Sequence, residues 1–145
     1  MAGDLSTTWK WNTEDSNTRR LVADMFDEQI DAQSGVDFFI GELFFELGEA
    51  LLCLERIKAK SSLPAMITMS FRADNKSSDG FTAGECARQL HDSGADIVGL
   101  NCMNDPTHMY PHINEMRTAF DGYLAAQPVA FGCTDETPWF TGRAS

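Results

Sequence analysis

The chain has 145 residues, enough for one hydrophobic core, and is read as a single domain over residues 1–145. Its hydrophobic residues make up 43% of the chain and its formal net charge is -11. That is a globular composition, and it argues against nucleic acid as a partner because phosphate contacts draw on Lys and Arg. No 18-residue apolar run is present, and Met1-Ala2-Gly3-Asp4-Leu5 lacks the basic and then apolar sections of a secretory signal. The expectation is a cytoplasmic chain with no membrane contact. Four cysteines, Cys53, Cys86, Cys102 and Cys133, form no CxxC pair, which favours free thiols in a reducing compartment.

Gly3 to Asn17 is polar and reads as a loop, with Trp9 and Trp11 either plugging the edge of a core or lining a pocket. From Thr18 to Gln33, Leu21, Val22, Met25, Phe26 and Ile30 recur at three-to-four spacing among acidic residues, the pattern of an amphipathic helix. Asn17 or Thr18 is expected to cap it and Gly35 to end it. A strand follows near 36–42, closing on Glu42, and helical period resumes from Phe45 to Lys58. The strand near 64–70 admits Pro64 at its entrance, where no ladder donor is lost. Arg72 to Gly80 reads as loop. Thr82 and Glu85 form a capping-box pattern that opens a helix to about Asp92. The apolar run Gly94 to Cys102 predicts a buried strand near 95–102 that delivers a thiol to its carboxyl end. Asp105-Pro106-Thr107 reads as a turn. A last helix begins at Pro111 and carries Ile113, Met116 and Phe120, a strand is expected near 127–133, and Thr134 to Ser145 reads as loop.

These strands recur roughly every 30 residues, the length of a strand plus a crossover helix. Such units build a parallel α/β sheet, either a (β/α)8 barrel or an open doubly wound sheet. No GxGxxG or GxxxxGK[ST] follows a strand, so nucleotide binding loses its main support. Glu42, Ser70, Cys102 and Cys133 fall at expected strand carboxyl ends, the face on which barrels build their sites. The fold class expected is a partial (β/α)8 TIM barrel of about four parallel strands with alternating helices.

Val36-Asp37-Phe38-Phe39-Ile40-Gly41-Glu42, the strand Pro64 to Met69, Gly84-Glu85-Cys86-Ala87, and Gly94 to Cys102 with Asp105-Pro106 behind it resemble the homocysteine-binding methyltransferase family. Gln127-Pro128 and the spacing are most similar to its betaine-type branch. The resemblance spans nearly the whole chain, and its sharpest motif is Gly-x-Asn-Cys at a strand end. It implies a zinc-dependent homocysteine S-methyltransferase that moves a methyl group from betaine or a related methyl-onium donor to homocysteine, giving methionine. By the same match Cys102 is a zinc ligand and Glu42 holds the homocysteine ammonium. The family takes its other two cysteine ligands from a Gly-Gly-Cys-Cys motif, expected here outside this chain. A whole barrel takes about 250 residues, so the isolated chain is expected to be incomplete, with Met1 internal to a longer reading frame. Leu43 and Met103 stand where betaine-type members carry tyrosine and histidine, which leaves the donor open.

The residue chemistry agrees with that implication. Metal coordination stabilises a thiolate that is mostly protonated when free, and three thiolates leave a fourth position on zinc for a substrate sulfur. Each residue also has a plainer reading. Cys102 reads equally as a buried inert thiol and Glu42 as an ordinary strand-end carboxylate. Cys53 and Cys86 read as core residues, Cys133 as a strand-end thiol with a lesser claim to a metal, and His108 and His112 as surface histidines. An aldolase lacks the strand-end lysine that a Schiff base requires. A function of another kind also fits: a non-catalytic half-barrel that self-associates as a homo-oligomer, or binds a partner, through open sheet edges.

Overall fold

The computed structural model describes residues 1–72 and 75–137. It alternates five strands with four helices: β1 Ala2–Ser6, α1 Ser16–Ala32, β2 Phe38–Phe44, α2 Leu47–Lys60, β3 Ala65–Met69, α3 Ala83–Asp92, β4 Ile97–Asn101, α4 Pro106–Ala119 and β5 Tyr123–Gln127. All adjacent strands pair in parallel, and their order across the sheet follows the chain, β1-β2-β3-β4-β5. With crossovers of one hand, sequential order sets every helix on the same face of the sheet. That is the winding of a barrel, and five consecutive units of it make a partial barrel.

Burial alternates between the two faces on β1 and β2, while β3 is buried on both. Leu5, Phe39, Ala65, Ile67, Met69, Val98 and Leu100 are buried with Phe26 and Ile30 of α1, Leu54 and Ile57 of α2, and Leu90 of α3. The opposite side of each strand carries Asp4, Ile40, Met66, Ile97 and Tyr123 in one row set by the register. Period-two alternation therefore places Glu42 and Asp4 on the face away from the helices. Gly41 confirms the assignment, since a Cβ there would meet Ile67, Phe44 and the Cys53 sulfur of α2.

Several boundaries differ from expectation. Gly3 to Asn17 is not all loop, because Ala2–Ser6 pairs along β2 with Gly3 and Leu5 buried, so the sheet has five strands rather than four. Asp15 caps α1 through its carboxylate, which accepts the Asn17 N–H at 2.9 Å. The capping box of α3 forms as expected. Helix α4 begins at Pro106, not Pro111, because Asp105 caps it and a proline at the first helical position gives up an N–H that has no helical partner. Pro111 lies inside the helix.

The final strand is Tyr123–Gln127, not 127–133. Pairing with β4 ends at Asn101 beside Gln127, and Pro128 has no N–H to continue a ladder. The apolar Val129-Ala130-Phe131 suggested a strand, yet Phe131 is 62% exposed. The loop expected over Thr134 to Ser145 is described only to 137. Trp11 does plug the core, packed on Gly48, whereas Trp9 is 67% exposed and tilts against Phe45 at 5.6 Å.

Candidate functional site at the carboxyl ends of the strands

Asn101 ends β4, and its side chain is 2% exposed. Its carbonyl Oδ1 accepts the Leu43 N–H at 3.0 Å and the Thr68 hydroxyl at 2.9 Å, with Ser70 Oγ at 3.3 Å. Ser70 also donates to the Asn101 backbone carbonyl at 2.8 Å. The Asn101 amide Nδ2 in turn donates to Cys102 Sγ at 3.3 Å. One buried amide therefore joins the ends of β2, β3 and β4.

Backbone conformation is unusual around that amide. Leu43, Cys102 and Met103 all take positive φ, at 62°, 56° and 56°, a region costly for side chains with a Cβ. Each such residue costs on the order of 1–3 kcal/mol and persists only where its surroundings hold it. The Leu43 N–H bond to Asn101 and the Cys102 N–H bond to the Gln127 carbonyl at 2.9 Å supply that hold. Leu43 lies in the irregular register between β2 and β3, directly after Glu42. The strain thus falls beside both residues singled out from sequence.

Glu42 is partly buried on the face away from the helices. Burial, and then the charge of Asp4, push its carboxyl pKa above the ordinary value of 4.5. Burial alone raises Asp4. Two carboxylates that each resist ionisation form a place where a cation lowers the energy of both. Cys102 is half-buried, while Cys53 and Cys86 are fully buried, with burial raising the first well above its ordinary value and the second to about 12. Those two are core thiols, as expected.

Among the described residues, one group of His, Cys, Asp and Glu has ligand atoms near enough for a common ion: Asp105, His108 and Cys133. Cys102 lies outside that group. His108 and His112 are not surface residues. His112 is 5% exposed against Phe71, ring centroids 5.4 Å apart, and burial lowers its pKa. His108 sits against Asp105, and that hydrogen bond raises its pKa. Cys133 occupies a loop instead of a strand end.

Sequence reasoning passed over two polar residues. Asn101 was read only as part of a motif, although an asparagine ending an apolar strand is itself a signal of a buried polar node. Glu49 is 0% exposed in the first turn of α2 and accepts Thr7 Oγ1 at 2.6 Å, Thr8 Oγ1 at 2.6 Å and the Thr8 N–H at 2.8 Å. It locks the segment after β1 to α2.

The fold and its polar rim define a parallel α/β barrel segment with a candidate site at its strand carboxyl ends. The family model described as "Homocysteine S-methyltransferase" matches residues 1–142, and the chain belongs to that family. Betaine–homocysteine S-methyltransferase 1 of Bos taurus is 32% identical over 142 residues, covering 93% of this chain and 34% of the relative. The enzyme of the same name from Sus scrofa is also 32% identical, with 50% of it covered. S-methylmethionine–homocysteine S-methyltransferase BHMT2 of Pongo abelii is 31% identical, with 38% covered. The chain thus spans between a third and a half of these relatives. The apo crystal structure of the homocysteine methyltransferase MmuM from Escherichia coli shares the fold, at TM-score 0.62 and 13% identity over 90% of this chain and 57% of that one.

Two outcomes test the rim. Asn101→Ala leaves the Leu43 N–H and the Thr68 hydroxyl without their acceptor, and urea unfolding should show a loss of about 2 kcal/mol. A stability equal to that of the parent would contradict the role of the amide. For Glu42, a raised pKa means that folding is penalised once the group ionises; the penalty is absent below 4.5 and complete above the raised value. Glu42→Gln should therefore melt at a higher temperature than the parent at pH 7, with the difference vanishing at pH 4. A difference independent of pH would remove the electrostatic explanation.

Proposed function

We propose that this chain forms part of the site of a homocysteine S-methyltransferase that takes its methyl group from betaine or a related methyl-onium donor and gives methionine. The observation that carries the reading is the Asn101 amide, which bonds both to the residue after Glu42 and to the Cys102 sulfur. Glu42 would receive the homocysteine ammonium, which relieves the carboxylate pair it forms with Asp4 and fixes the amino acid by position. Cys102 would give one thiolate ligand to zinc, with Asn101 holding its rotamer. Residues other than those described would complete the set. Bound zinc would keep the substrate sulfur as a thiolate, the form that attacks a methyl group.

The donor is proposed at the level of its charge. A methyl-onium compound, whether ammonium or sulfonium, carries a positive centre that suits an acidic rim, and relatives named for betaine and for S-methylmethionine both support this class. Four free cysteines support the cytoplasmic, reducing setting expected from sequence.

The test uses a polypeptide carrying these residues, supplied with zinc, homocysteine and either betaine or S-methylmethionine. Methionine formation and bound zinc should both fall at least tenfold in Cys102→Ala. Metal content unchanged in the variant would remove Cys102 from the ligand set.

A second reading rests on the sheet edges. Among the described residues β1 and β5 each pair with one neighbour, and unpaired edges invite another chain. As a half-barrel that self-associates, the chain should scatter light as a dimer or larger species whose mass falls on dilution. A monomer at all concentrations would refute this reading.

A further inference from the structure

The loop after β5 returns over the start of α4 and gathers side chains that the proposed methyl transfer does not use. A carboxylate oxygen of Asp105, a ring nitrogen of His108 and Cys133 Sγ lie within 4.8 Å of one another. The first two side chains are largely enclosed, with exposures of 13% and 16%. Asp105 Oδ2 accepts the Cys133 N–H at 2.8 Å, while Oδ1 accepts the His108 N–H at 2.9 Å and faces His108 Nδ1 at 2.7 Å.

That last contact assigns the ring. An ionised carboxylate only accepts, so Nδ1 carries a proton, and the neutral imidazole keeps its lone pair on Nε2. Nε2 is buried without a hydrogen-bond partner. The Asp135 carboxylate approaches it at 3.4 Å but outside hydrogen-bond geometry, and that side chain is fully exposed. A buried lone pair, fixed in direction by a carboxylate behind the ring, on an imidazole with a ring nitrogen within 4.8 Å of a thiol, is the arrangement of a metal-binding histidine.

We propose that His108 and Cys133 hold a divalent cation of the zinc type, with Asp105 orienting the imidazole and Asp135 turning inward as a further ligand. Imidazole and thiolate together select a borderline-soft ion over calcium or magnesium, which take oxygen donors. Tetrahedral coordination sets sulfur and nitrogen about 3.5 Å apart. Closing the group by roughly 1 Å is within reach of side-chain rotation, because Cys133 sits on a loop and the 3.8 Å contact of its sulfur with the Met103 carbonyl is weak. The ion would clip this loop to the turn between β4 and α4, the turn that begins with Cys102. The site does not rest on the methyl-transfer reading, since Cys102 is not among its ligands.

Cobalt(II) titration of the chain carrying Cys102→Ala tests it, read by thiolate-to-cobalt charge-transfer absorption. The expected result is a band saturating at one equivalent and erased by zinc. Adding Cys133→Ser should abolish the band, and adding His108→Gln should weaken cobalt binding at least tenfold. Asp105→Asn, as the positioning residue, should weaken it on the order of tenfold while the band keeps its position. Absence of a band in the Cys102→Ala chain overturns the proposal. So does a band that survives Cys133→Ser, or binding unchanged in His108→Gln, with far-UV circular dichroism confirming that each variant is folded.

Discussion

The rim of this sheet depends on one buried amide. Asn101 presents its carbonyl to β2 and β3 and its NH2 group to Cys102, and no other side chain of similar size offers both an acceptor and a donor in that span. Aspartate would keep the acceptors but set a charge against the sulfur. Without these bonds the left-handed conformation of Leu43 would have little to oppose relaxation. The position of Glu42 follows from Leu43, so the geometry of a carboxylate on β2 is set from β4.

Much of this was legible because the sheet is wound regularly. Parallel strands covered by helices read as apolar runs spaced by amphipathic segments, and β2, β3 and β4 were found in that way close to their observed limits. The edges were harder. β1 is short, with only Gly3 and Leu5 turned toward the helices, and β5 carries two alanines and an exposed Tyr123, so neither has the hydrophobic contrast of a central strand. Near β5 the more apolar Val129 to Phe131 outweighed the true strand, although Pro128 marks where the ladder must stop.

The site was legible in its residue types and obscure in its connections. Glu42 and Cys102 stand out because a carboxylate lies near the end of one otherwise apolar strand and a thiol directly follows another. That Asn101 links them is a matter of register, which joins residues 58 positions apart in the chain and leaves no local trace. The histidines went the same way. Both read as surface residues, with Pro111 expected to begin the helix between them, but His112 turns toward Phe71 after β3 and His108 toward the loop after β5, contacts made by the tertiary fold.

The four cysteines show how position decides the use of a residue type. Cys53 and Cys86 lie inside the layer between helices and sheet, where burial disfavours the thiolate and leaves small apolar groups suited to packing. Cys102 and Cys133 are half-buried, one on a strained strand end and the other on a loop, and each has a polar neighbour directed by the backbone: an amide donor for the first, and for the second the carboxylate that also holds His108. A thiol gains chemistry when it leaves the apolar layer without reaching open solvent. In a parallel barrel segment that boundary lies where the strands end, so fold topology brings both thiols to the same rim although they stand on different units of the chain.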